Sequence, residues 1–286
     1  MTNVTIAVIG GSGLYDLQGL DDVVEHRVDT PYGLPSDNII EGRVGETRLL
    51  FLARHGRGHC HLPSEVNYRA NIFALKKLGA ERVISVSAVG SMREEIKPGD
   101  MVVVDQYIDR TKGRPSTFFG EGIVGHVMFA DPVCFELSAT LYDAAKGLNI
   151  PVHRGGTLMV MEGPAFSTRA ESLMHRFIGV DLIGMTGMPE AKLAREAELC
   201  YATLALATDY DCWHEEEDDV SVDAVIKVLT QNAENARNVI TTVAETISPT
   251  CTCTCGTALE YAIITDRAKI PKTQKERMKP IFGRVL

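Results

Sequence analysis

Short runs of apolar, mostly β-branched residues recur along the chain, separated by segments with helical spacing. No other feature narrows the possible folds as much. The runs occupy residues 4–9, 48–52, 82–87, 101–104, 158–161, 180–183 and 201–207. Several are apolar at nearly every position rather than at alternate ones, which is the pattern of strands covered on both faces. Helical spacing fills residues 66–78, 132–147, 168–176 and 188–198. This alternation predicts an α/β fold with a central mixed, mostly parallel sheet flanked by helices. Ser221 is an N-cap candidate for a further helix, whose apolar stripe runs through Val222, Val225, Leu229, Ala236, Val239 and Val243 and which Pro249 ends. Residues 269–286 fit either a helix or an arm.

Composition limits the partners. With 29 Lys+Arg against 38 Asp+Glu the net charge is -9, which disfavours a polyphosphate, so no nucleic-acid partner is expected. No apolar run approaches the ~20 residues needed to cross a bilayer, so no membrane association is expected. The first apolar stretch, from Thr5 to Ile9, is too short for a secretory signal and has no basic residues before it. Seven cysteines, an odd and partly scattered set, do not form a secreted disulfide framework. A cytoplasmic protein is the expectation.

Three polar or glycine-rich segments follow strand runs and carry candidate chemistry. Gly10-Gly11-Ser12-Gly13 can turn tightly and expose amide N–H groups beside the Ser12 hydroxyl, an anion cradle. It is neither a dinucleotide fingerprint, because Asp16 takes the third glycine position, nor a P-loop. The run Arg54-His55-Gly56-Arg57-Gly58-His59-Cys60-His61 invites a zinc reading. No second Cys/His pair with finger-like spacing answers it, and Arg54 with His55 suits a small anion better. Together they read as a local cationic pocket in an acidic protein. Ser85 to Ser91 ends another run with small and hydroxyl residues, placing Ser87 and Ala88 where strands of open α/β sheets present ligands.

Three later segments complete the set. Thr168 and Glu171 have the spacing of a helix capping box, and Phe166 in the preceding Gly-Pro loop can stack on a planar ring. Gly184-Met185-Thr186-Gly187 leads into a helix that opens near Pro189. In Thr208-Asp209-Tyr210-Asp211-Cys212-Trp213 two carboxylates flank Tyr210 beside the single Trp of the chain, a grouping suited to a hydrogen-bonding ring. Each segment also has a plain reading as a turn, a cap or a close strand contact.

In this order, however, the segments resemble the 5′-methylthioadenosine phosphorylases of the trimeric purine nucleoside phosphorylase family. The matching blocks run from Gly10 to about Ile247 and also include Val66-Asn67-Tyr68-Arg69-Ala70-Asn71, Gly90-Ser91-Met92-Arg93-Glu94-Glu95, Pro98-Gly99-Asp100 and Glu162-Gly163-Pro164. The resemblance implies one domain over residues 1–286, with 249–286 as a C-terminal extension. It implies a phosphate site of Ser12, Arg54, His55, Ser87, Ala88 and Thr186. It places Met185 at the ribose, Phe166 against the purine, and Ser167, Asp209 and Asp211 at the purine's polar edge. Val222 and Val225 would line a thioether pocket, and His126 would reach into a neighbouring subunit's site. Asp209 would protonate purine N7 while phosphate attacks the anomeric carbon. Neither a metal nor an organic cofactor is called for, since phosphate is the co-substrate, and a homotrimer or dimer of trimers is implied.

Relatives that cleave 6-oxopurine nucleosides carry Glu and Asn where this chain has Ser167 and Asp209, so the resemblance implies adenine as the leaving base. Two positions depart from that branch: Gly187 replaces a bulkier residue, as in methylthioinosine-cleaving relatives, and Ala165 stands where Arg is common. A methylthioinosine or broad-specificity phosphorylase is therefore the alternative. A hydrolase, a purine-binding module without catalysis and a nicotinamide dehydrogenase fit the segments less well. Cys251, Cys253 and Cys255 admit three states: free thiols, a disulfide of the kind thermophilic relatives place near their C-terminus, or a metal clip.

Overall fold

The computed structural model describes residues 4–11, 20–214 and 222–286. The middle of its sheet is built from four parallel strands: β1 (Thr5–Gly10), β4 (Thr47–Ala53), β5 (Arg82–Ser91) and β11 (Cys200–Asp209). Their continuous apolar runs have a direct cause. Ala7, Ile9, Leu50, Leu52, Ala205 and Ala207 point into one core, while Ile6, Val8, Leu49, Phe51, Leu204 and Leu206 point into another. Alternate residues thus enter opposite cores, and each fully buried Leu, Ile or Val contributes roughly 1.5–3 kcal/mol.

Helix α1 (Tyr68–Lys77), capped by the Asn67 side chain, and α4 (Glu190–Glu196) supply Ile72, Phe73, Leu75 and Leu193 to the first core. On the other face lie α2 (Phe135–Gly147) and the 25-residue α5 (Val222–Thr246), through Leu137, Leu141, Val239 and Val243. The last 18 residues of the chain, 269–286, are not an arm. They form two short helices, α6 (Lys272–Arg277) and α7 (Lys279–Phe282), that bury Met278, Ile281 and Phe282 in the first core. Phe282 stacks on Phe119 with ring centroids 5.1 Å apart.

Four strands have no counterpart among the apolar runs of the sequence: β2 (Asp21–His26), β3 (Ile39–Val44), β7 (Gln106–Asp109) and β8 (Val152–Arg154). β2 is an edge strand exposed along nearly its whole length, and β7 closes the opposite end of the sheet. Strands so placed need no continuous apolar run. β6 (Met101–Val104) pairs antiparallel with β11 and parallel with β8.

The feature that positions the site is a fork in β5. Its first half pairs with β1, ending at Ile9↔Ser85, and its last residues pair antiparallel with β10 (Leu182–Gly184) through Ile183↔Gly90. β10 in turn lies parallel to β9 (Thr157–Val160). Between these pairings β5 leaves one neighbour before meeting the next, which opens a crevice at the carboxyl ends of β1, β4 and β5. The N-cap candidate Ser221 lies outside the described residues. Among the described residues no helix is long and apolar enough to cross a membrane.

Candidate active site

Ser87 and Thr186 meet in this crevice because of strand register. The antiparallel pairing of β5 with β10, carried three residues past Ile183↔Gly90, sets Thr186 opposite Ser87. Their hydroxyl oxygens are 3.0 Å apart, and both residues are buried. Ala88, half-buried, follows on β5. Ser12 lies outside the described residues; Gly10 ends β1 opposite Ala53 of β4, and Gly11 follows it.

Arg54 differs from the expectation. It is only 2% exposed, and its donors are turned inward, to Glu190, to Val86 O at 2.9 Å, to Ile9 O at 3.2 Å and to Ser85 Oγ at 2.8 Å. Burial alone would disfavour its charge, but the fully buried Glu190 carboxylate more than offsets this and holds the guanidinium protonated. Arg54 is therefore a strut joining the ends of β1, β4 and β5 to α4, and not a free fork.

His55, unlike Arg54, is uncharged at neutral pH. Burial, then the neighbouring Arg54 charge, lowers its pKa to about 4. Its Nδ1 lies 2.9 Å from His61 O, which can only accept, so Nδ1 holds the hydrogen and Nε2 is bare. The His59 ring stacks on it at 4.3 Å. The cationic pocket expected from this pair is thus corrected: one charge is neutralised by Glu190 and the other is absent, because both groups are buried.

At the end of β11, Asp209 accepts hydrogen bonds from Thr208 Oγ1 at 2.7 Å and from the Asp211 N–H at 2.8 Å. Burial raises its carboxyl pKa despite these donors. Gly90 makes this packing possible, since a Cβ there would lie 2.9 Å from both Asp209 Oδ1 and Ile183 Cγ2. Asp211 is 5% exposed, has a left-handed φ of 52°, and its Oδ2 has no hydrogen-bond partner among the described residues. A buried acceptor without a donor is costly, so this oxygen is set for a donor that enters from outside.

The loop after β9 brings Phe166, 43% exposed, and Ser167 towards the β11 loop, where Cys212 Sγ donates to Ser167 O at 3.4 Å. The capping box is present: Thr168 and Glu171 begin α3 (Arg169–Phe177). Met185 lies against Gly163, where a Cβ would sit 2.5 Å from its sulfur. Trp213 does not offer a ring to a ligand. It is buried, donates to Ser91 O at 2.7 Å and stacks under Arg176.

Arg114 has no spacing signature and escaped the sequence reading. Its side chain is 1% exposed and donates to Met185 O at 2.8 Å, Met188 O at 2.9 Å, Glu162 O at 2.8 Å and Tyr68 Oη at 3.2 Å. One guanidinium thus holds together the two loops that carry Phe166 and Thr186. Three other expected residues come from other segments of the chain. His126 is exposed and is held by its N–H to Ala262 O at 2.9 Å; Val222 is exposed and Val225 half-buried at the start of α5.

The phosphorylase superfamily model matches residues 5–245. An S-methyl-5′-thioadenosine phosphorylase from Geobacter sulfurreducens is 60% identical over 279 residues, covering 97% of this chain and 98% of its own. One from Koribacter versatilis is 53% identical over 279 residues, covering 98% and 96%. A methylthioadenosine phosphorylase structure sourced from an antarctic soil metagenomic library superposes with a TM-score of 0.92 at 49% identity, covering 98% of this chain and 99% of that one. That of the Schistosoma mansoni methylthioadenosine phosphorylase in complex with adenine gives 0.83 at 35% identity, covering 98% of each chain.

Proposed function

Because the chain belongs to the phosphorylase superfamily, we propose that it cleaves 5′-methylthioadenosine with inorganic phosphate, releasing adenine and 5-methylthioribose 1-phosphate. The observation that carries this reading is the carboxyl pair at the end of β11. Asp209 holds its proton above the usual carboxylate range, and Asp211 keeps a buried acceptor unfilled. A 6-aminopurine supplies what the pair lacks, a proton-accepting N7 and an N–H donor.

In the proposed reaction a phosphate oxygen bonds to the anomeric carbon as the bond to purine N9 breaks. The electron pair passes to the purine, and Asp209 donates its proton to N7. Solvent reprotonates Asp209 after release. Such an acid accounts for ~10²–10⁴ in rate, and holding phosphate in line removes the need for an enzyme nucleophile. Hydroxyls and amides carry the phosphate seat: Ser87, Thr186, the backbone at Ala88 and the turn leading to Ser12. Neutral His55, through its bare Nε2, accepts a hydrogen bond from the P–OH of a monoprotonated phosphate, which keeps its proton, and Arg54 fixes the strand ends around it. Phe166 covers the purine, with Ser167 at its edge, Met185 lies at the ribose, and Val222 and Val225 line the methylthio pocket. His126 would act across an interface in a homotrimer or dimer of trimers. Phosphate is a co-substrate, so no organic cofactor is assigned. The product chemistry fits purine and methionine salvage in the cytoplasm.

Gly187 no longer argues strongly for a 6-oxopurine. Its φ is 99°, and a Cβ there would lie 3.1 Å from the Tyr107 ring, so a neighbour already fills that space. The test is adenine release from methylthioadenosine with and without phosphate, with methylthioinosine run alongside. Phosphate-dependent adenine release is expected. Turnover in phosphate-free buffer would indicate a hydrolase, and a tenfold preference for the inosine analogue would overturn the base assignment.

A further inference from the structure

Far from the crevice, five of the seven cysteines gather at the amino end of β11. Cys134 precedes α2, Cys200 is the first residue of β11, and Cys251 and Cys253 lie in the loop after α5, followed by Cys255. The sulfurs of Cys134, Cys200, Cys251 and Cys253 all lie within 4.8 Å of one another. Cys200 Sγ is 3.8 Å from Cys251 Sγ and 3.3 Å from Cys253 Sγ, and those two are 3.0 Å apart. None is bonded to another.

We propose that Cys134, Cys200, Cys251 and Cys253 form a structural site for one soft divalent cation of the zinc class. Four thiolates about 2.3 Å from a tetrahedral ion stand about 3.8 Å from each other, and the observed separations approach that figure. The chemistry of the set agrees, since an all-sulfur tetrahedron selects zinc-like ions over magnesium or calcium. A single disulfide would need two sulfurs, whereas four converge here from three separate elements. Cys251 and Cys253 form a two-residue chelate, while β11 and the start of α2 hold the other two ligands rigid through Cys200 N–H to Glu81 O and Cys134 N–H to Tyr201 O.

Binding exchanges four thiol protons for the ion. Cys251 now donates to Glu136 Oε2 at 3.1 Å; on loading it gives up that proton, while Glu136 keeps the N–H and hydroxyl of Thr252. Arg82, which donates to Ser248 O at 2.6 Å, lies beside Glu136 and offsets the negative charge of the loaded site. A cavity of about 50 Å³ bordered by Arg82, Cys134, Cys200 and exposed Cys251 adjoins the sulfurs and admits the ion. The site fastens the start of the C-terminal segment to the sheet. Nine residues of extended strand, about 30 Å, separate Cys200 from Asp209, so the ion has no part in the chemistry.

Full-length protein purified under reducing conditions and dialysed against metal-free buffer is analysed by elemental mass spectrometry. About one zinc per chain is expected, lost in Cys200→Ser and Cys253→Ser and retained in Cys60→Ser. Cobalt loaded into the unmodified chain should give the visible bands of tetrahedral thiolate coordination, a readout that does not depend on the variants folding. Chelation should lower Tm while turnover below the transition stays unchanged. Metal far below one per chain, no cobalt–thiolate bands, zinc retained in both serine variants, or an oxidised, metal-free mass for these cysteines would each overturn the proposal.

Discussion

Asp209 and Arg54 are both buried ionisable groups, and what surrounds them sends their chemistry in opposite directions. Asp209 has no counter-cation among its hydrogen-bond partners, so burial favours its neutral form. Raised above its ordinary value, it keeps the donating proton over a wider pH range and loses it as pH rises through the raised pKa. Asp209→Asn should lower kcat on methylthioadenosine ~10²–10⁴-fold and remove the alkaline limb that this group contributes to the kcat/KM profile. Arg54 has Glu190, and the pair is closed to solvent. Glu190→Gln should destabilise the protein by about 3–5 kcal/mol in denaturant titration, because it leaves a buried charge unanswered. The sequence made both residues conspicuous by type, but the difference between acid and strut lies in Glu190, 136 residues from Arg54 along the chain, and in the lack of any such counter-charge among Asp209's hydrogen-bond partners.

At the scale of elements, the capping box of α3 was legible because its signal is local: Thr168 and Glu171 are three residues apart and need nothing else. Thr168→Ala should cost ~1 kcal/mol and, by loosening the loop that bears Phe166 and Ser167, raise KM for the nucleoside several-fold with a smaller change in kcat. Steady-state kinetics separates the two. Glu196, near the end of α4, was not legible. It receives Thr117 Oγ1 at 2.7 Å and Phe118 N–H at 2.6 Å, and burial pushes its pKa up to about 7. A raised carboxyl contributes stability that is fully present below its ordinary value and is lost as pH rises through the folded value. Tm should therefore fall as pH rises from about 4.5 to 7, with stability declining by roughly 1.4 kcal/mol for each pH step of one, and the fall should flatten in Glu196→Gln. Arg114 belongs to the same class, an isolated loop arginine whose importance comes from five carbonyl or hydroxyl partners on other segments.

The described residues build one sheet with two large cores and a smaller apolar cluster around Trp213, and they leave several large apolar side chains exposed. Val124, Met128, Tyr261 and Ile264 are 53%, 85%, 92% and 68% exposed and come from the two segments that bridge at Gly125↔Ile263, next to His126. If this strip closes the proposed trimer, Met128→Glu should shift sedimentation towards monomer and raise KM with it; a trimer with unchanged KM would refute that placement. The sequence by itself determined the buried strands, the helices α1 to α5, the two-sided burial of the sheet and the loops where chemistry would sit, but not the strands β2, β3, β7 and β8 or the helices α6 and α7. What it determined is recorded in periodicity or short spacing that neighbouring residues share. Tertiary structure alone decided that Arg54 is neutralised, that His55 is uncharged, that Trp213 is a core anchor, that Arg114 ties two loops and that four cysteines converge. The physical reason is the same in each case. Charge state and ligand geometry depend on burial and on partners brought together by the fold, and chain spacing carries no record of either.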